Sequence, residues 1–112
     1  ATMRAMFEER RDHFQMLIDA GVLLLQGTDS GGYQQHGSIA GELALWSSWG
    51  ASAQLIIDAS TWVSQRYLGR PGLVEGGEGD LIVLDEDPRI DPVALARPSA
   101  VYVGGERAWV RP

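Results

Sequence analysis

The stretch Gly21-Val22-Leu23-Leu24-Leu25-Gln26-Gly27-Thr28-Asp29-Ser30-Gly31 decides how this chain is read. Residues 22–26, all apolar except Gln26, run into a turn of small residues that carries one carboxylate. A short apolar run closed by glycine reads as a strand buried on both faces. In α/β folds functional side chains lie just past the carboxyl ends of parallel strands, which is where Asp29 falls. Taken alone, Thr28-Asp29-Ser30-Gly31 is also ordinary turn chemistry, in which an aspartate bonds its own backbone. From these residues both readings stand.

Upstream, residues 3–19 place Met3, Met6, Phe7, Phe14, Leu17 and Ile18 on one helical face and Glu8, Glu9, Arg10, Arg11 and Asp12 on the other. His13 falls among these charges and reads as a solvated surface histidine. Gly21 sits where a left-handed residue commonly ends a helix. Downstream, the Gly-rich loop 27–37 gathers Asp29, Tyr33, Gln34, Gln35 and His36. Loops on a rigid scaffold often carry function. One Asp and one His are still an incomplete metal set, because a catalytic zinc normally has three protein ligands.

Ser38 and Ser52 are placed to cap two helices, over residues 38–49 and 52–68. The first carries Ile39, Leu43 and Trp46 on one stripe, the second Leu55, Ile56, Ala59, Trp62, Val63 and Tyr67. The aromatic members of these stripes read as core or interface rather than as a ligand cage. Gly69-Arg70-Pro71-Gly72 ends the helical region, and a Gly-rich connector follows. That connector is not a phosphate loop, because no Lys-Ser/Thr pair and no helix come after it.

Asp80-Leu81-Ile82-Val83-Leu84-Asp85 reads as a strand bounded by acids. The spacing of Asp85, Asp87 and Asp91 resembles a calcium loop only superficially, since Arg89 and Ile90 occupy the positions that need a ligand and a glycine. Residues 100–103 and 107–110, joined through Gly104-Gly105, read as a β-hairpin.

Composition narrows the function. The 112 residues carry nine basic and fifteen acidic side chains, a net charge of −6. That balance disfavours nucleic acid and offers nothing to an anionic membrane. Every basic residue is arginine, and lysine, asparagine and cysteine are absent. A Schiff base, a carbamylated lysine, a thiolate nucleophile, a disulfide and a zinc–cysteine site are therefore excluded within these residues. No apolar run approaches the roughly 20 residues of a membrane span, and a cytoplasmic protein is the default expectation.

One consequence concerns residues 22–26 directly. A strand apolar on both faces wants a neighbour on each side, and no second strand occurs before residue 72. Its neighbours are expected in sequence beyond these residues, which makes the chain look like the tail of a larger protein.

The motifs Ala20-Gly21-Val22, Gly27-Thr28-Asp29-Ser30, His36-Gly37, Glu42-Leu43 and Asp58-Ala59-Ser60-Thr61, taken in order, resemble the C-terminal part of the amidohydrolase superfamily. The similarity is to its imidazolonepropionase-like and prolidase-like metal-dependent hydrolases. Gly76 with Asp80–Pro88, and Val101–Arg107, resemble the tail and final hairpin of the same enzymes. The resemblance implies an α/β chain, the C-terminal fragment of a (β/α)8 barrel plus part of a small β-sandwich. Residues 1–72 would supply the last barrel strand with its flanking helices, and 73–112 the sandwich share.

It implies further that Asp29 contacts a divalent metal, zinc, and relays a proton from the metal-activated water to the leaving group. His36 falls where some relatives place a substrate-contacting residue. The substrate class would be a non-peptide or dipeptide-like amide. Gly77 and Gly79 depart from the lysine and alanine common in the tail motif. The family's His-x-His pair, bridging lysine or glutamate and further histidines are not among these residues, so the chain alone would be inactive and hold no metal. Its partners would be the N-terminal part of the barrel or other protomers. The alternative is a non-catalytic α/β interaction module or a complementing subunit.

Overall fold

The structure, a computed structural model, describes residues 2–112. The described residues form five α-helical segments, a 3-10 helix and one three-stranded sheet. Helix α1 (Met3–Glu8) starts under Thr2, whose hydroxyl accepts from the Ala5 N–H. Helix α2 (Arg10–Asp19) follows after a single break at Glu9. It ends as the sequence suggests: Gly21 takes φ 67°, its N–H reaches the Ile18 carbonyl at 3.0 Å, and the Val22 N–H reaches Leu17 at 3.1 Å. That paired closure satisfies two otherwise free helix carbonyls.

Helices α3 (Ile39–Ser48), α4 (Ala53–Ser60) and α5 (Trp62–Tyr67) complete the helical part. The single helix expected over residues 52–68 is broken at Thr61, which has φ −128° and ψ −105°. Three hydroxyls account for the break. Ser60 and Thr61 donate back to the carbonyls of Ile56 and Ile57, and Ser64 donates to that of Ala59. Side-chain bonds of this kind compete with the backbone ladder and bend helices. The break leaves Trp62 and Tyr67 exposed, so the aromatic stripe does not continue the core.

The core is formed by Phe14 from α2, Leu43 and Trp46 from α3, Ala51 from the α3–α4 turn, and Ile56 and Ala59 from α4. Phe14 meets Trp46 edge-on with ring centroids 4.9 Å apart, a favoured aromatic geometry. The 3-10 helix (Pro92–Ala96) packs on α3 and α4, bringing Val93, Leu95 and Ala96 against this cluster. Asp91 caps it by accepting from the Val93 N–H.

Strands β1 (Leu81–Val83), β2 (Ala100–Val103) and β3 (Glu106–Val110) form an antiparallel meander in the order β1-β2-β3. Leu81 pairs with Tyr102 and Val101 with Trp109, with a register shift between Val101 and Tyr102. Gly104 and Gly105 take φ 60° and 79°, the left-handed pair that a two-residue hairpin turn requires. Arginines brace the loops around the sheet. Arg111 bonds Asp85, Arg97 bonds Glu86 and Asp91, and Arg70 bonds Asp80.

The expected fold class needs correction. The described residues show no sign of a (β/α)8 fragment or of a second sandwich sheet. They form an antiparallel sheet with segregated helices, an α+β arrangement. The run read as a buried barrel strand, residues 22–26, takes up no regular secondary structure and joins no strand, and Val22 and Leu23 are 47% and 59% exposed. The reason is that burying both faces of a strand takes ladder partners on either side, and no strand forms within residues 2–72 to supply one. The radius of gyration, 15.6 Å, exceeds the roughly 13 Å typical of this length. Met3, Met6 and Phe7 of α1 remain exposed, so the apolar face read from the sequence meets the core only through the buried Phe14 and the partly buried Ile18. No helix among the described residues is long and apolar enough to cross a membrane.

Candidate functional site

The site expected from the sequence begins where α2 releases the chain. From Leu23 to Thr28, the only backbone-to-backbone bond among the described residues is Gln26 N–H to the Ala59 carbonyl, at 3.5 Å. That distance is at the outer limit of a useful hydrogen bond. Leu24 packs against the core and anchors the segment from one side. The Gln26 side chain is also drawn inward, and both its Oε1 and Nε2 are occluded without a hydrogen-bond partner. Leaving a buried polar group unpaired costs about 1–3 kcal/mol, so this amide is the most poorly satisfied group in the region.

Beyond Gly27 the chain turns into a loop that folds on itself. The hydroxyls of Thr28 and Ser30 meet at 2.5 Å across Asp29. Ser30 also donates to the Gln35 carbonyl at 3.1 Å, and the Gly31 N–H reaches the Gln34 carbonyl at 3.3 Å. Asp29 is the one non-glycine residue with positive φ, 51°, among the described residues. Aspartate tolerates this left-handed conformation better than most side chains. Its carboxylate is exposed and takes part in no hydrogen bond or ion pair among the described residues. The backbone-bonded turn aspartate, one of the two readings open from the sequence, is not the arrangement adopted.

His36 is exposed on the same loop, adjacent to the Gln35 carbonyl that Ser30 holds. The loop thus carries Asp29 and His36 at either end of its Ser30–Gln35 clasp. Glu42 lies in the first turn of α3, and Asp58 accepts from the Gln54 amide at 2.7 Å. Among the described residues no three His, Cys, Asp or Glu side chains converge as a metal-holding group. These residues therefore offer one free carboxylate donor rather than a site.

The three aspartates with calcium-like spacing are each engaged by arginine. Asp85 holds Arg111 and Asp91 holds Arg97. Asp87 accepts from the Arg89 side chain at 2.6–3.0 Å and from the Arg89 backbone N–H at 2.9 Å. The Arg89 side-chain bonds, helped by its N–H, hold the Asp87 carboxyl down at about 2 against an ordinary 3.8. Arg89 is raised in turn by the same bonds.

Two features escaped sequence reasoning. The first is the orphaned Gln26 amide, whose one available signal was a polar residue closing an apolar run. The second is a cleft of about 620 Å3 between the α4–α5 region and the sheet, walled by Ile57, Trp62, Leu81, Leu84, Leu95 and Tyr102. It depends on the break at Thr61 and on how the sheet sits, neither of which has a sequence signature. No residue of the Asp29 loop lines it.

No family model matches this chain. It is similar to uncharacterized proteins of Mycobacterium bovis and of two strains of Mycobacterium tuberculosis, each 35% identical over 105 residues. The matched region is 94% of this chain and 28% of each relative. The chain therefore spans about a quarter of the length of the curated relatives it matches.

Proposed function

We propose that these residues are the C-terminal part of a metal-dependent amidohydrolase that cleaves a C–N bond in a cyclic amide or dipeptide-like substrate with metal-activated water. The observation that carries this reading is the state of Asp29. It is an exposed carboxylate with no protein partner among the described residues, held in left-handed backbone just past an apolar segment without regular secondary structure. An aspartate that only shaped its turn would spend its oxygens on nearby backbone N–H groups.

The fit to a metal is that of one donor. Asp29 can occupy a single ligand position, and a tight site needs about three protein ligands. The remainder would come from a longer polypeptide, in keeping with relatives of which this chain covers 28%. A divalent metal such as zinc, bound there, would supply an acidified water. Asp29 would then accept a proton from that water and deliver it to the departing nitrogen. His36, on the far side of the Ser30–Gln35 clasp, contacts the substrate. The chain by itself does not turn over. The compartment proposed for this enzyme is the cytoplasm.

The test is hydrolysis of a panel of cyclic amides and dipeptides by the full-length gene product, before and after chelation and zinc readdition. Turnover that disappears with chelation and returns with zinc is the expected result. Hydrolysis indifferent to chelation, or absent on every amide offered, would overturn the reading.

The exposed apolar residues Met3, Met6 and Phe7 of α1 favour a second reading, a non-catalytic interaction module. It requires residues 1–112 to unfold cooperatively without metal, as calorimetry would register.

A further inference from the structure

We infer that Tyr33 is a specificity-determining residue of the Asp29 loop, selecting an uncharged amide that carries an aromatic or flat apolar ring beside the bond to be cleaved. This rests on the hydrolase reading and narrows its substrate class. Tyr33 is 104% exposed, and its hydroxyl takes part in no hydrogen bond among the described residues. An aromatic ring left wholly in water is apolar area that a partner can bury. The turn that carries it is closed at its neck. Ser30 and Gln34 form a bridge, the Gly31 N–H reaches the Gln34 carbonyl at 3.3 Å, and the Ser30 hydroxyl donates to the Gln35 carbonyl at 3.1 Å. Residues 31–33 turn between those contacts, with Gly31 at φ 114°, backbone that other residues adopt only with strain.

The same neck carries Asp29. It precedes one member of the Ser30–Gln34 bridge as Tyr33 precedes the other, so the two Cα atoms lie no more than about 13 Å apart. A dipeptide-sized substrate spans about 7 Å, and with two side chains reaching toward it, one end can meet Asp29 while a ring at the other meets Tyr33. The rest of the loop decides the class. Residues 27–37 contain no arginine or lysine, and Asp29 is their one carboxylate. A substrate carboxylate beside the scissile bond would find no permanent cation on this loop and one like charge. Tyrosine offers a π face and a hydroxyl at low cost in conformational freedom, since contact fixes two side-chain angles. A ring-bearing, uncharged amide is the class that uses both.

The test uses the full-length gene product loaded with zinc and two uncharged probes that differ in the ring, N-acetyl-phenylalanine amide and N-acetyl-alanine amide. Binding is read by saturation-transfer NMR. The parent is expected to hold the phenylalanine probe roughly 10-fold or more tightly than the alanine probe. Tyr33→Ala is expected to erase most of that preference, and Tyr33→Phe to keep it. Equal affinity of the parent for the two probes, failure to bind either, or a preference that survives Tyr33→Ala would overturn the inference.

Melting separates recognition from packing. The Tyr33→Ala midpoint is expected to match that of the parent, because substitutions at exposed positions seldom disturb stability. A fall of roughly 2 °C or more would mean that another part of the full-length protein covers the ring, and would contradict a role at the substrate. Where the phenylalanine probe is hydrolysed, the loss in Tyr33→Ala is expected in KM rather than kcat, since a ring contact away from the reacting atoms is made equally before and in the transition state. Zinc-dependent hydrolysis without a ring preference fails this inference alone. A Tyr33-dependent ring preference without zinc-dependent hydrolysis fails the hydrolase reading alone.

Discussion

Gly79 and Gly105 meet backbone to backbone. Gly105 donates its N–H to the Gly79 carbonyl at 3.2 Å, and a Cβ on Gly79 would lie 2.8 Å from both N and Cα of Gly105. The hairpin turn is thus seated directly on the entry to β1. Asp80 secures it by accepting from the Gly104 N–H at 2.7 Å. Gly79 also has φ 74°, a region where other residues are strained. Gly79→Ala is expected to destabilise the protein by about 1–3 kcal/mol in denaturant titration. Gly76→Ala is the control. It has a similar φ of 77° but nothing within 4 Å of the added carbon, so its smaller loss isolates the contact with Gly105.

Leu43 is fully buried in the cluster with Phe14, Trp46 and Ile56, whereas Leu45, on the same helix, is 36% exposed. Leu43→Ala should cost about 2–5 kcal/mol, the transfer term plus the cavity left behind. Leu45→Ala should fall within about 0.5–1 kcal/mol of the parent. Equal losses at the two positions, measured as denaturation midpoints, would contradict the placement of the core.

The two serines that open α3 and α4 look alike in sequence but differ in structure. Ser52 accepts from the Leu55 N–H at 3.1 Å, while Ser38 makes no side-chain capping bond. Ser52→Ala is expected to cost about 1 kcal/mol and Ser38→Ala markedly less in the same thermal melts.

Asp87 and Arg89 set a pH dependence whose sign is fixed by geometry. The folded carboxyl titrates at about 2 rather than 3.8, so the unfolded chain binds this proton first. The stabilisation is complete above about pH 4 and is lost as pH falls toward 2. Arg89→Gln should return the Asp87 titration toward 3.8, as carboxyl NMR shifts would show. A pKa unchanged by that substitution would remove Arg89 as its cause.

How much of this was legible in the sequence depends on how local each feature is. The Gly21 closure, the Ser52 cap and the Gly104-Gly105 hairpin were readable, because each is decided within a few residues by backbone preference. The breaks at Glu9 and Thr61 were not. Apolar periodicity runs straight through both, and the hydroxyl back-bonding that bends the chain at Thr61 leaves the period intact. The larger error was to turn residues 22–26 into a barrel strand. Four apolar residues in a row state that the segment seeks burial, but pairing is a property of partners, and these residues contain none for it. At the site, the sequence drew attention to Asp29 and His36, which the Ser30–Gln35 clasp places on one loop. It gave no notice of the unpaired Gln26 amide, since burial of a side-chain amide is a tertiary outcome.

The central claim is that Asp29 relays a proton in metal-dependent amide hydrolysis. It is tested most directly by the turnover of full-length Asp29→Asn, loaded with zinc, on an amide substrate the parent cleaves. The amide keeps the size of the carboxylate but cannot accept and return the proton. Turnover reduced by roughly 100-fold or more, with an unchanged melting midpoint, is the predicted result. Turnover close to that of the parent would remove Asp29 from the reaction and contradict the account.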